Sequence, residues 1–369
     1  MKILVLEPYY GGSHKAFLDG WQALTRHDWT LLTLGANKWK WRMRIAAITF
    51  ADQSNELVES GYIPDMIFCS DMLNVAEFKG LANPRLKNIP LVVYFHENQI
   101  TYPKQIESDR DYQFVATNMT TALATDAVWF NSEFHRGEFL DALANFIKII
   151  PNDPPKNVIE RIAEKSTVNP PGISMIDRPR DKKPGPMRIL WAGRWEHDKN
   201  PEDFFAALKV LKEKQIDFRL SVIGENYRNS PEVFAWAKDH FADNIDCWGY
   251  QESRSDYEKA LCDADIIVST ANHEFFGISV VEAIAAGAYP ILPNRLAYPE
   301  IVARIDAPDK FLYDGTVKAL TRRLFQVAKA YKEGKLWQSN PQCGKIAMRT
   351  FEWKNLVSGM DEKLQELCK

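Results

Sequence analysis

Short, continuous apolar runs alternate with longer stretches of helical periodicity along most of this 369-residue chain. The runs cover residues 3–6, 66–69, 91–95 and 127–130, then 189–192, 220–223, 266–268 and 289–292. Runs of this length, rich in Val, Ile and Phe and without polar alternation, suit strands of a parallel sheet covered on both faces. The periodic segments between them suit right-handed crossover helices. The series occurs twice. The first ends near 155–166, a stretch rich in Pro, Gly and charge interrupts it over 169–186, and the second starts at Met187.

The pattern therefore predicts an α/β protein of two Rossmann-like, doubly wound domains. Their expected bounds are 1–168 and 187–350, with 169–186 as the linker. The tail, 351–369, reads as an amphipathic helix that can pack back on the first domain. No close repeat relates the halves. Two such domains on one linker are expected to face a central cleft at the carboxyl ends of their strands, where open α/β sheets bind ligands.

Composition narrows the picture by exclusion. At 46% hydrophobic and 26% charged, the chain can fill two cores and is not disordered. Its 46 Lys and Arg against 49 Asp and Glu give a net charge of −3, so a polyanion would need a local basic patch. Five scattered cysteines, none in a C-x-x-C pair, read as reduced thiols and not as a zinc site or disulfide framework. The opening MKILVLEP reads as a strand, not a signal sequence, and no run reaches the ~18 apolar residues that span a bilayer. A soluble, cytoplasmic protein is expected, of undetermined oligomeric state.

The stretch HEFFGISVVE (273–282) follows a strand over 265–269 and opens a helix. Glu274 sits in the loop, and Glu282 lies far enough into the helix to look back at the same ligand. The amides of Phe276 and Gly277 fall near the helix start, where unpaired N–H groups attract anions. Alone, the pair could equally be a loop carboxylate and a solvated helical glutamate. GRWEHDK (193–199) follows the second series' first strand and places Arg194 and Lys199 at its carboxyl end. Such cations stabilise the charge on a departing diphosphate; the plainer alternative is surface pairing with Glu196 or Asp198. After a further strand, Gly249 and Tyr250 follow Trp248, so a nucleobase could approach the backbone and stack, or Trp248 simply packs in the core.

On the other half, YYGGSHK (9–15) links strand to helix. Gly11 and Gly12 before a Ser13 N-cap form a tight turn whose amides could face an anion, flanked by Tyr10 and His14. His96, Glu97 and Asn98 end a strand and are expected to point into the cleft, although a core histidine satisfied by a carbonyl is the plainer reading of His96. Lys38, Trp39, Lys40, Trp41, Arg42 and Arg44 alternate cations with aromatics. That is a nucleic-acid pattern, or an amphipathic edge strand with a solvated basic face.

The three C-terminal motifs together resemble the retaining GT-B glycosyltransferases of the large family 4 group. The resemblance implies a nucleotide-sugar donor, with Arg194 and Lys199 on its diphosphate and Glu282 on its ribose. Glu274 would hold a sugar hydroxyl, helped by the Phe276 and Gly277 amides, with His96 beside the sugar. More narrowly, YYGGSHK, KWKWR, YFHENQ with Tyr102-Pro103, WFNSEF, GRWEHDK, HEFFG and YPEI (298–301) resemble the tRNA-queuosine α-mannosyltransferase family from residue 1 to beyond 300. This implies mannose transfer from GDP-mannose to the cyclopentene-diol of queuosine in tRNA. His96, Glu274, Arg194 and Lys199 become the catalytic candidates. The implied acceptor side is Tyr10, His14, the 38–44 segment, Glu97 and Asn98. No D-x-D cluster stands out, so no metal is expected. Two rival readings are a glycosyltransferase with a glycan, lipid or small-molecule acceptor, and a catalytically silent nucleotide-sugar or RNA-binding module. A basic amphipathic helix near the N-terminus would favour a membrane acceptor; the KWKWR alternation fits a strand better.

Overall fold

Each of the eight apolar runs forms a strand, and every one is an interior strand of its sheet. The computed structural model describes residues 1–103, 111–176, 184–226, 230–337, 340 and 342–369; part of the expected linker, 177–183, lies outside the described residues. The chain divides into two units, Met1–Gly172 with Trp353–Lys369, and Ile173–Glu352.

The first unit holds β1 (Lys2–Tyr10), α1 (Gly12–Gln22), β2 (Asp28–Gly35), α2 (Trp39–Glu59), β3 (Met66–Ser70) and α3 (Val75–Leu81). It continues with β4 (Leu91–Phe95), α4 (Tyr112–Ala124), β5 (Ala127–Phe130), α5 (Glu133–Lys148), α6 (Val158–Ala163) and β6 (Ser166–Val168). The sheet is parallel in the order β2-β1-β3-β4-β5-β6. The second unit holds β7 (Met187–Ala192), α7 (Pro201–Glu213), β8 (Phe218–Ile223), α8 (Val233–His240), β9 (Ile245–Gly249), α9 (Arg254–Asp263), β10 (Ile266–Val268) and α10 (Ile278–Ala285). Then come β11 (Tyr289–Pro293), α11 (Tyr298–Val302), β12 (Leu312–Tyr313), α12 (Val317–Lys332) and α13 (Cys343–Met348), with sheet order β12-β11-β10-β7-β8-β9. In each sheet the chain winds outward from one strand and then returns to its other side. The reversal falls between β1 and β3 in the first unit and between β7 and β10 in the second. A crevice opens at such a switch point, outside the carboxyl ends of the strands.

The last helix, α14 (Trp353–Glu366), belongs to the first unit. Buried Asp361 accepts hydrogen bonds from Trp21 Nε1 (2.9 Å), Thr25 Oγ1 (2.9 Å) and the Arg26 amide (3.0 Å). The Trp353 ring fills the space above two glycines, where a Cβ on Gly20 or Gly172 would lie 2.1 Å from it.

Two local expectations are corrected. The 38–44 segment is not a strand: Lys38 adopts a left-handed φ of 47°, and α2 begins at Trp39. Met43, Ala46, Ala47, Phe50 and Ala51 give the segment a helical buried face once the window extends past Arg44, which a seven-residue alternation hides. The N-cap of α1 is Gly11, not Ser13, and the helix starts at Gly12. Gly11 sits against Ala36, whose Cβ would be 2.3 Å from an added Cβ, so the turn admits no side chain there.

Candidate active site

In the second unit the switch point carries the loop after β7 and the loop between β10 and α10. Lys199 is buried at 8% exposure, and its Nζ is held by three oxygens from those loops. It donates to the His273 carbonyl at 2.7 Å and pairs with Asp198 Oδ2 at 3.1 Å and Glu274 Oε2 at 3.3 Å. Burial pushes the Glu274 carboxyl up, but the charges of Lys199, His273 and Arg194 outweigh it and hold the group below its ordinary value. Burial, aided by Lys199, drives the His273 imidazole down to about 4, so the ring is neutral at pH 7. Lys199 and Glu274 line, with Ser269, Ser279 and Tyr298, a cavity of about 20 Å³, room for one water. A larger depression of about 380 Å³, between Asn294 and Gln326, contains none of the expected site residues.

Gly277 caps α10 with φ +89°, and a Cβ there would lie 3.1 Å from the Tyr298 ring; the tight turn keeps the helix start beside Glu274. The Phe276 amide faces Glu274 Oε1 at 3.5 Å. Glu282, on the first turns of α10, has an 11% exposed side chain held at both oxygens, by Arg254 Nη2 at 3.0 Å and Tyr257 OH at 2.7 Å. Neither partner was singled out by sequence; both sit on α9, and only packing brings α9 against α10. Arg194 is more exposed and pairs with Glu196 at 3.1 Å, the surface pairing weighed above. Trp248 packs edge-on against Trp195, with Gly249 in a left-handed conformation and Tyr250 exposed beyond it.

In the first unit the carboxyl ends of β1, β3 and β4 hold a buried polar cluster. Glu7 Oε1 accepts from the Tyr9 amide (2.8 Å) and Ser70 Oγ (2.9 Å) and lies 3.2 Å from His14 Nδ1. Burial pulls His14 down, but Glu7, with Asp71 and Glu97, lifts it to about 9, so the ring is an imidazolium. Burial and that charge push His96 well below its ordinary value. The two rings stack 3.9 Å apart. One ligand atom each from Glu7, His14 and His96 falls within 4.8 Å of the others. Two imidazoles on one tetrahedral zinc would set their ring centres about 5 Å apart, given Zn–N of about 2.1 Å. The stack is thus an ion pair with a neutral neighbour, and no metal is assigned to it.

The other acceptor-side candidates separate. Tyr10 OH and Lys15 both bond Asp19. Asn98 is fully buried, and its Oδ1 accepts from the Ile100 amide (3.0 Å), the Thr101 amide (2.9 Å) and Thr101 Oγ1 (3.1 Å), which shapes a turn. Glu97 accepts from Gln99 Nε2 at 3.0 Å. On α2, Trp39 packs toward Phe114, Arg42 donates to the Gly35 carbonyl at 3.0 Å, and Arg44 pairs with Asp111 at 2.8 Å. Lys38, Lys40 and Trp41 are exposed, Trp41 at 61%. No described helix is long and apolar enough to cross a membrane.

Comparison with known proteins adds the following. Residues 2–173 match the family model described as tRNA-queuosine alpha-mannosyltransferase N-terminal, and residues 174–340 match that for glycosyl transferases group 1. A Drosophila melanogaster tRNA-queuosine alpha-mannosyltransferase is 36% identical over 335 residues, covering 88% of this chain and 86% of that protein. A GDP-mannose-dependent alpha-(1-6)-phosphatidylinositol dimannoside mannosyltransferase of Mycobacterium tuberculosis is 24% identical over 65% of this chain and 59% of its own. Among solved structures, a glycosyltransferase from Rickettsia africae superposes with a TM-score of 0.70 at 16% identity, covering 100% of this chain and 98% of that one. Anabaena HepE in complex with UDP and glucose does so at 0.66 and 14%, covering 99% of both. These likenesses show the expected GT-B fold class.

Proposed function

Because the chain belongs to the tRNA-queuosine alpha-mannosyltransferase family, we propose that it transfers mannose from GDP-mannose to the cyclopentene-diol of queuosine in tRNA. The observation that carries the chemistry is the Lys199–Glu274 pair at the switch point of the second unit. A buried cation beside a fixed carboxylate can hold a diphosphate and a sugar hydroxyl in one place. Arg194 supplies the second charge on the diphosphate, exchanging Glu196 for the ligand. In the first unit, Gly11, Gly12 and His96 are the groups this reading assigns to the donor. The diol oxygen bonds the anomeric carbon on the face from which the bond to the β-phosphate oxygen breaks. The diol proton passes to that phosphate, so configuration is retained and no side-chain base is required. With Arg194 and Lys199 on the diphosphate, the reaction needs no metal.

Glu282 receives the ribose. A carboxylate offers about four lone-pair positions; Arg254 and Tyr257 take two, and two remain for the two ribose hydroxyls. Tyr257→Phe is expected to weaken GDP binding by about threefold to tenfold, the worth of one hydrogen bond. 2′,3′-Dideoxy-GDP should bind the variant and the wild type alike; an equal loss for both nucleotides in calorimetric titration would reject the role.

The exposed Lys38, Lys40 and Trp41 at the start of α2 are the groups offered to tRNA, two charges for phosphate and one ring for an unpaired base. The double replacement of Lys38 and Lys40 by Glu is expected to raise KM for tRNA at least tenfold and to flatten its salt dependence, with GDP-mannose binding unchanged. An unaltered salt slope would move the RNA elsewhere. One observation favours a second reading, a membrane-lipid acceptor: α2 is a helix after all, with Trp41, Ile45 and Ile48 exposed on one side. The deciding experiment offers labelled GDP-mannose to queuosine-containing tRNA, queuosine-free tRNA and phosphatidylinositol vesicles. Label confined to the first supports the proposal; label in the vesicles overturns it.

A further inference from the structure

Asp71 is the residue immediately after β3, at the switch point of the first unit. It is fully buried and fixed on three sides. Its amide donates to the Tyr94 carbonyl (3.0 Å), its carbonyl accepts from Asn118 Nδ2 (3.1 Å), and its Oδ1 accepts from the His96 amide (2.9 Å). Its Oδ2 has no hydrogen-bond partner among the described groups. Leaving a buried carboxyl oxygen unmatched is unfavourable, and a bound group is one of the things that can match it.

The neighbours decide what kind of partner that is. Glu7 faces Asp71 from β1, His14 from α1, and His96 and Glu97 from the segment after β4; α4 contributes only the neutral Asn118. Burial, with Glu97 and Glu7 and against the pull of His14, lifts the Asp71 carboxyl to about 8. At neutral pH it is therefore a protonated acid. Because Oδ1 is engaged as an acceptor, the proton resides on Oδ2, an O–H with no acceptor among the described residues. The complement is a neutral oxygen with a lone pair. A phosphate would bring a further charge beside Glu7 and Glu97, and a cation would meet the His14 imidazolium.

We propose that Asp71 is a substrate-contacting residue, its Oδ2 hydroxyl donating to a neutral hydroxyl oxygen of the sugar or of the acceptor diol at this switch point. This deepens the functional reading and rests on it for the identity of the ligand. The test uses the full-length enzyme, wild type, Asp71→Ala and Asp71→Asn. Asp71→Ala is expected to lose about 10- to 100-fold in kcat/KM, because a site built to hydrogen-bond a hydroxyl is left incomplete. Affinity for GDP should stay within twofold. If affinity for GDP-mannose falls while that for GDP does not, the hydroxyl is the sugar's. If both nucleotides bind normally and KM for queuosine-tRNA rises, it is the diol's. Asparagine keeps the acceptor for the His96 amide and supplies an N–H donor in place of the O–H, so Asp71→Asn should retain most activity.

The pH profile supplies the readout that a structural role would not move. Wild-type activity is expected to fall as pH rises through about 8, when Asp71 ionises, and that limb should vanish in Asp71→Asn. A separate limb from His14, near 9 in the wild type, should persist in Asp71→Asn but at lower pH, because Asp71 is one of the charges that raise it. Wild-type constants in Asp71→Ala, or an Asn variant as impaired as the Ala variant with its limb at 8 intact, would overturn the proposal. A wild type that neither prefers GDP-mannose to GDP nor labels any tRNA would instead bring down the functional reading, and this one with it.

Discussion

Lys199→Ala should be the most damaging single substitution in the second unit, lowering both stability and turnover. The side chain is 10% exposed and bridges Asp198, Glu274 and the His273 carbonyl. Truncating it strands two carboxylates in a partly desolvated loop, and breaking a buried pair on one side typically costs about 3–5 kcal/mol. The same change removes a preorganised cation from the diphosphate, worth about 10²–10³ in kcat. The pH dependence gives an independent check. Lys199 is the leading charge that keeps Glu274 below its ordinary range against burial. Without it the carboxylate forms only at higher pH, so the acid limb of the rate profile should move upward. Urea unfolding and single-turnover transfer measure the two losses separately. A variant of native stability with less than a tenfold loss in rate would show that the pair is neither structural nor catalytic.

Arg194→Ala should separate those two effects. It pairs with Glu196, and both side chains are more than a third exposed, at 39% and 34%. Exposed pairs contribute about 0–1 kcal/mol, so the midpoint of unfolding should barely change. Turnover should nevertheless fall by about 10²–10³ under the proposed function, in which the guanidinium meets the diphosphate as charge develops on it. Arg194→Lys should recover part of the rate, because it restores charge without the bidentate fork. Unchanged turnover in Arg194→Ala would remove the residue from the diphosphate site.

The strands legible in the sequence and those that were not divide along a physical line. Residues 3–6, 66–69, 91–95 and 127–130 and their four counterparts are interior strands, covered on both faces, and they read as unbroken apolar runs. β2, β6 and β12 went unread, and β9 was read only at its Trp248–Gly249 end; each of the four is a sheet edge. Edge strands are short or half-solvated; β2 has only partly buried and exposed residues, so no run marks it. The helix α2 was misread for a related reason: its first turns project charge and tryptophan outward, and its buried positions become periodic only beyond residue 43.

The candidate site splits in the same way. Arg194, Lys199, Glu274 and Glu282 stand out because they occupy loops and a helix start directly after strands, where chain direction alone aims them at the carboxyl end of the sheet. Glu7, Asp71, Arg254 and Tyr257 had no such signal. Each looks ordinary in its local segment, and its role depends on which strands and helices become neighbours.

By itself, then, the sequence determined the two α/β layers, the interior strands and the loops that bear the charged motifs, because these follow from short-range periodicity and from where a strand must end. The tertiary structure decided the strand order, and with it the two switch points. It also decided which charges pair with one another, such as Lys199 with Asp198 and Glu274, and which buried atom is left without a hydrogen-bond partner among the described residues, as Asp71 Oδ2 is. Those outcomes depend on distance and desolvation between residues as far as 77 positions apart in sequence, as Ile189 and Ile266 are, quantities that no local pattern encodes.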